Sequence, residues 1–262
     1  MDSMPLTPRP YVQGRNPMPL LRRRAALSRP AHQRRPDQAD RHMTDGGITH
    51  VVWDWNGTLF DDADALIAST IEAFARQGLP PVTPERYRAL HTQPIDTFYD
   101  RLLGRTVPAA LRAELHAAFH DAYLRRRPGI GLAPDALATL RAAAEAGLTQ
   151  SVLSMHPHDV LTELVERFAL GPHLVRVDGQ RGADAGYKRD HLAAHLRALD
   201  RPPGAVVLVG DSVDDARAAA AVGTRCVLYA SGLHSGTALR AEGFPVTRTL
   251  EDALATALGP AR

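Results

Sequence analysis

From residue 48 onward the chain alternates two patterns. Short apolar, β-branched runs, HVVWDW (50–55), TQSVLS (149–154), HLVRVDG (173–179), AVVLVGD (205–211) and TRCVLYA (224–230), are separated by Ala- and Leu-rich stretches of helical period. This alternation predicts parallel strands joined by crossover helices, an α/β fold. The runs are apolar almost throughout, as expected of strands covered on both faces. The interval between the first strand and the second is too long for a simple crossover. It contains DADALIASTIEAFARQGL, TPERYRALH, IDTFYDRLLG and PAALRAELHAAFHDAYLRRR, all of helical pattern. Thr83 before Pro84 and Glu85 marks a helix start, while QGLPP and RPGIG mark stops. The expected organisation is an α/β core from 47–62 and 130–262, with a helical insert over 63–129.

Composition narrows the class. With 262 residues and 44% hydrophobic content, the chain can bury a sizeable core. No apolar segment approaches the ~20 residues that span a bilayer, which argues against a membrane partner. The single cysteine, Cys226 in RCVLY, cannot form an internal disulfide and reads as a small core residue of a cytoplasmic protein. The net charge of +2 is unevenly spread: residues 1–43 carry nine Arg and three Asp, so the remainder is mildly acidic. Residues 1–46 form a basic, Pro-rich extension without hydrophobic period, expected to be disordered. Its prolines and lack of an apolar h-region argue against a targeting peptide, and Met43 reads as a plausible start. Tyr11 is its one aromatic residue, which argues against a nucleic-acid arm.

Candidate chemistry lies at the carboxyl ends of the strands, where side chains of open parallel sheets converge on one crevice. Asp54, Ser154 and Asp211 fall there. Two carboxylates brought together without a cation would repel and pay for desolvation, so a metal is implied, and oxygen ligands without cysteine or clustered histidine point to Mg²⁺. Lys188 is the only lysine among 31 basic residues. Where every other site uses Arg, a lone compact ammonium ahead of the Asp211 strand is a candidate for the same crevice.

These positions, taken together, resemble the haloacid dehalogenase-like (HAD) superfamily, specifically its phosphoglycolate phosphatase-like members. DWNGT (54–58) is similar to the family's Asp-x-Asp-Gly-Thr motif, departing at Asn56. SVLSM ending at Ser154 and Met155, Lys188 followed by Arg189, and GDSVDD (210–215) with Asp211 and Asp215 match the remaining three, over about residues 48–258. The resemblance implies a Rossmann-like core whose helical insert is a cap. It implies a small phosphorylated metabolite as substrate, Asp54 as nucleophile forming an aspartyl-phosphate, and Mg²⁺ held by Asp54, the Asn56 carbonyl and Asp211, with Asp215 supporting the metal shell and orienting Lys188. Ser154, Lys188 and backbone N–H groups near Gly57 and Thr58 would bind the phosphoryl oxygens. The expected assembly is a monomer or homodimer.

Asn56 stands where family phosphatases carry the acid that protonates the leaving group and activates water. An amide cannot exchange protons, although its NH₂ can hydrogen-bond a leaving oxygen. Loss of acid–base help costs ~10² to 10⁴ in rate. Two readings follow: a phosphatase weakened or specialised by Asn56, with His156 as a candidate substitute, or a phosphate-ester binding or regulatory protein of low or no turnover.

Other signals have plainer explanations. His191 with His195, and His116 with His120, have zinc-ligand spacing but no third ligand, and are expected on helix surfaces or in the cap core. Trp53 reads as core, while Trp55 is split between core and a wall of the crevice. His91, Thr92 and Gln93 form either a substrate-facing loop or a simple turn. Arg125 to Arg127 are expected at a solvated helix end.

Overall fold

The computed structural model describes residues 47–182 and 187–259. The extension expected over 1–46 lies outside them. Six strands, β1 (His50–Trp53), β2 (Thr149–Pro157), β3 (Arg176–Gln180), β4 (Val206–Gly210), β5 (Arg225–Tyr229) and β6 (Val246–Thr247), form one sheet in the order β3-β2-β1-β4-β5-β6. Every pairing is parallel. The chain leaves β1 toward β2 and β3, then crosses back to place β4 on the other side of β1. That reversal opens a crevice beyond the carboxyl ends of β1 and β4, the position at which open α/β sheets bind ligands. Asp54 and Asp211 follow these two strands directly.

Among the described residues, ten α-helices accompany the sheet: α1 (Ala63–Arg76), α2 (Pro84–Leu90), α3 (Ile95–Leu103), α4 (Ala109–Arg126), α5 (Ala136–Glu145), α6 (His158–Arg167), α7 (Lys188–Ala198), α8 (Val213–Val222), α9 (Gly236–Ala241) and α10 (Leu250–Leu258). Strand alternation distributes the sheet between two cores. Val51, Trp53, Val207 and Val209 pack with Leu140, Leu161 and Leu254 from α5, α6 and α10. Val52 and Leu208 pack on the opposite face with Leu192, Leu196 and Ala219 from α7 and α8. Cys226 is buried in this second core. Each fully buried large side chain of this kind contributes roughly 1.5–3 kcal/mol.

Helices α1 to α4 bury a third cluster among themselves, including Phe74, Tyr87, Phe98 and Leu115, joined by Leu233 from the segment after β5. Local signals in the sequence set their ends. Thr83 accepts a hydrogen bond from Arg86 N at 3.2 Å and caps α2, and Gly104 in the left-handed conformation closes α3. The arginines at the end of α4 lie at a solvated terminus, Arg125 exposed and Arg126 and Arg127 partly so. Arg125 and Arg126 both reach Glu72 on α1, at 2.5 and 2.8 Å, and thereby tie two helices together. None of the described helices is long and apolar enough to cross a membrane.

β2 runs three residues past Ser154, re-pairing with β3 at Pro157 and Gln180 after a register shift. β6, two residues long, carries too little pattern to be read from sequence.

Candidate active site

The loop after β1 turns sharply. Phe60 N and Thr58 N both donate to Trp55 O, at 2.9 and 3.1 Å, and Gly57 N donates to Phe60 O at 2.9 Å. Gly57 occupies φ +71°, and a Cβ on it would lie 2.2 Å from Asp211 Oδ2, so only glycine allows both the turn and the approach of the β4 carboxylate. At the end of β4 the same constraint recurs: a Cβ on Gly210 would lie 2.3 Å from Asp215 Cγ.

Around this pinch the chain assembles Asp54, Asp211 and Asp215, whose nearest carboxylate oxygens all lie within 4.8 Å of one another. Lys188, at the first position of α7, sends its ammonium to both Asp54 Oδ1 and Asp215 Oδ1. All four side chains are nearly inaccessible, Asp54 at 7% being the most open. Asp215 is locked from its other side as well. Its Oδ2 accepts from Ser212 N at 3.0 Å and Ser212 Oγ at 2.6 Å, within a capping box that starts α8. Asp215 therefore anchors Lys188, leaving Asp54 and Asp211 as the carboxylates turned toward the crevice. Asp211 Oδ2 also accepts from Ser231 Oγ at 3.0 Å, on the segment following β5.

The electrostatics report a shortage of positive charge. Burial pushes the Asp54 carboxyl up to about 7, against the pull of Lys188 and with the push of Asp215. Asp211 is raised well above the carboxylate range by burial, then by Asp54 and Asp215. Burial opposes the charge on Lys188, but its two carboxylate partners outweigh it and hold the ammonium protonated. One ammonium does not neutralise three buried carboxylates. A hard divalent cation with oxygen ligands fits this donor set.

Ser154 is buried beside this cluster. Its Oγ accepts from His156 N at 3.0 Å and lies 3.5 Å from Asn56 Oδ1. Thr58 Oγ1 donates to Asp54 Oδ2 at 3.3 Å. The backbone groups expected to bind phosphoryl oxygens are otherwise engaged. Gly57 N is shared between Phe60 O and Asp62 Oδ1, and Thr58 N is held by Trp55 O, because the turn uses them to close itself. The N–H directed at Asp54 is that of Trp55, which favours its carboxylate form. The Asn56 amide also departs from expectation: its NH₂ donates to Asp62 Oδ2 at 2.6 Å rather than facing a leaving oxygen.

Asp62, just ahead of α1, was not legible as a site residue. It is wholly buried and accepts from Asn56 Nδ2, from Gly57 N at 2.8 Å and from Tyr123 Oη of α4 at 2.7 Å. Burial lifts its carboxyl to about 6, with those three donors pulling the other way. The double acid Asp61–Asp62 was its only trace in the sequence, and one acid at a helix start is ordinary. Ser231 had a better signal, since it follows the end of β5 at the crevice edge.

The remaining candidates resolve as follows. Burial, with Arg127 and His120 nearby, brings the His156 imidazole down to about 4, so near pH 7 it is a neutral imidazole and not the imidazolium that would protonate a leaving group. Trp55 is fully buried and stacks on Phe60 with centroids 5.3 Å apart, which makes it core rather than a crevice wall. His91 pairs with His234 across 2.9 Å and stacks on Tyr87, so it joins α2 to the segment after β5, while Thr92 Oγ1 donates to Gln93 O at 3.2 Å in the connection to α3. His116 bonds Asp96 at 3.0 Å. His195 is neither on a surface nor in the cap but buried under the sheet, bonded to Asp178 and Ser151 at 2.7 Å each.

The haloacid dehalogenase-like hydrolase family model matches residues 51–220, which contain all of these crevice residues except Ser231. The chain belongs to this family. A second model, of HAD-like hydrolases, matches residues 188–256. A phosphoglycolate phosphatase of Yersinia pseudotuberculosis is 29% identical over 199 residues, 73% of this chain and 85% of the relative. That of Caulobacter vibrioides is 28% identical over 188 residues, 70% and 79% of the two chains. Among solved structures, CbbY from Rhodobacter sphaeroides in complex with phosphate superposes with a TM-score of 0.63 at 21% identity, covering 80% of this chain and 99% of that one. A hydrolase from Pseudomonas syringae gives 0.66 at 19%, covering 79% and 97%. At such identities the structural likeness speaks for the fold alone.

Proposed function

We propose that the chain is a Mg²⁺-dependent phosphatase that hydrolyses a small phosphomonoester through an aspartyl-phosphate on Asp54, with helices α1 to α4 acting as a cap over the crevice. The observation that carries this reading is the Asp54 carboxylate, held by Lys188 and Thr58 at the crevice and facing Asp211. Phosphoglycolate is the first substrate to try, because relatives sharing over a quarter of their residues carry that name. The cytoplasm and a monomeric or homodimeric state complete the proposal.

Asp54, the Asn56 carbonyl and Asp211 would hold the ion, with Asp215 acting behind them. Bound there, Mg²⁺ supplies charge neutralisation of the phosphoryl group and keeps the carboxylates ionised. Lys188 and Ser154 bind the phosphoryl oxygens, and the Trp55 N–H points to the same place. An Asp54 oxygen attacks phosphorus, the bond to the ester oxygen breaks, and the leaving alkoxide takes its proton from solvent because Asn56 has none to transfer. Water then attacks phosphorus, the Asp54–phosphorus bond breaks, and the water's surplus proton stays on the phosphate or passes to solvent. Without a proton donor at position 56, the first step favours good leaving groups.

A second reading, ester binding with little turnover, draws support from the same Asn56, whose NH₂ is committed to Asp62. Phosphate release from 2-phosphoglycolate, sugar phosphates and aryl phosphates, with and without Mg²⁺, separates the two. Metal-dependent release abolished by Asp54→Asn supports catalysis. Saturable ester binding with no release from any substrate would leave the second reading standing.

A further inference from the structure

The Asn56–Asp62 contact has chemistry that neither residue has alone. A carboxylate accepts hydrogen bonds and an amide can do either, so the partner decides which end of the Asn56 side chain faces where. Asp62 receives three donors: Asn56 Nδ2 at 2.6 Å, Gly57 N at 2.8 Å and Tyr123 Oη at 2.7 Å. Rotating the amide by half a turn would set Asn56 Oδ1 against a carboxylate oxygen at that separation, two acceptors with no proton between them. The opposite end of the amide, Oδ1, is therefore turned to Ser154, on the phosphoryl side, where Ser154 Oγ lies 3.5 Å away.

We propose that Asp62 is a positioning residue that fixes the Asn56 amide with its carbonyl oxygen toward the reacting phosphorus, making position 56 an acceptor that orients the attacking water. This rests on the phosphatase reading above. Tyr123, arriving from α4, completes the brace and couples this orientation to the helical segment. Asn56 and Asp62 thus form a carboxylate–amide pair in which the carboxylate lies behind the amide. The acid is present in the loop but one hydrogen bond away from the crevice. A single Asn56→Asp replacement would set two carboxylates against each other at 2.6 Å in a buried site, rather than create a free acid. Exchanging the two groups keeps the hydrogen bond and reverses its sense.

The experiment is a double-mutant cycle on the full chain: wild type, Asn56→Asp, Asp62→Asn and the double exchange Asn56→Asp/Asp62→Asn, with Asp62→Ala added. Each is read by melting temperature and by kcat and KM on alkyl and aryl phosphates. Asn56→Asp alone is expected to melt ~5 °C below wild type and gain nothing on alkyl phosphates, and the double exchange to recover most of the melting loss. With a proton-exchanging group then facing the crevice, the double exchange is expected to gain ~10- to 100-fold on alkyl phosphates and little on aryl ones. Asp62→Ala is expected to lower kcat ~10-fold or more with KM within ~3-fold, because it frees the amide without touching ester binding. Melting effects that simply add, or an Asn56→Asp gain equal to that of the double exchange, would overturn the pairing. An unchanged kcat in a folded Asp62→Ala would overturn the positioning role. If no variant releases phosphate, the phosphatase reading fails, while the melting cycle still decides whether the pair exists.

Discussion

Two buried polar clusters lie a few residues apart in this sheet, and they behave in opposite ways. Beyond the strand ends, Asp54 and Asp215 share the one ammonium of Lys188 while Asp211 lies beside them, and the three carboxylates are left short of positive charge. In the body of the sheet, Thr149, His50, Ser151, His195 and Asp178 form an unbroken chain, each link 2.7 Å long. Ser151, His195 and Asp178 have the hydrogen-bond order of a hydrolase triad. Ser151 is nonetheless fully buried, and its hydroxyl is spent between two imidazoles, so no substrate carbonyl can reach it. The comparison shows that a constellation of reactive side chains is not enough. A site needs charge left unsatisfied by the protein, and of these two clusters it is the strand-end one that has it, with Asp54, at 7% exposure, its most accessible side chain.

The most forceful way to break this comparison is at Asp54, the proposed nucleophile. Asp54→Asn is expected to reduce phosphate release by ~10⁴-fold or more, whereas Ser151→Ala is expected to leave it within about twofold. Measured rates with the reverse order would make the inner chain the active one. Next comes Lys188→Met, which removes the ammonium from the phosphoryl site and leaves the carboxylates to repel, with an expected loss of ~10²- to 10³-fold. Lys188→Arg should not rescue it, because a planar fork does not fit a gap shaped for a point charge.

Stability sharpens the contrast. Ser151→Ala strands one nitrogen on each of His50 and His195 and should cost ~2–4 kcal/mol, read as a melting decrease of roughly 5–15 °C. The smallest expected effect concerns pH. His50 is brought down to about 4 by burial, with His195 and Arg201 adding to it. The unfolded chain takes up that proton below about 6.5 and the folded one does not until about 4. The inner chain therefore loses stability as pH falls through that window. Asp54, raised to about 7, has the opposite sign: folded protein keeps a proton that the unfolded chain has already lost, so acidification favours the fold. A Mg²⁺ ion held as proposed would compete with that proton. The melting increase produced by Mg²⁺ should thus be larger at pH 8 than at pH 6, by a few degrees in a thermal-shift titration. An increase independent of pH would place the ion away from Asp54.

Much of the fold was legible because its cause is local. Continuous apolar runs, the helix start at Thr83 and the stops at QGLPP and RPGIG depend on neighbours within a few residues, and they appear at their expected places. The site was legible to the extent that it is built from strand ends. Asp54 and Asp211 directly follow strands β1 and β4, Ser154 lies inside β2, which runs past the strand end read from sequence, and Lys188 stood out by composition. His195 was misread because a histidine on a helix of mixed pattern gives no sign of the sheet beneath it. Trp55 was undecided because its stacking partner Phe60 comes into place only once the turn closes.

The sequence alone marked Asp54 and Asp211 as strand-end residues, through the periodicity of strands and the punctuation that ends them. What those residues do there was decided by tertiary structure. The Asn56 amide is oriented by Asp62 six positions away and by Tyr123 on a distant helix, and the Gly57 and Thr58 amides are consumed by their own turn. The physical reason is range: hydrophobic patterning acts over whole elements and leaves a trace in the sequence, whereas a hydrogen bond is settled within about 3 Å and leaves none until the chain has folded.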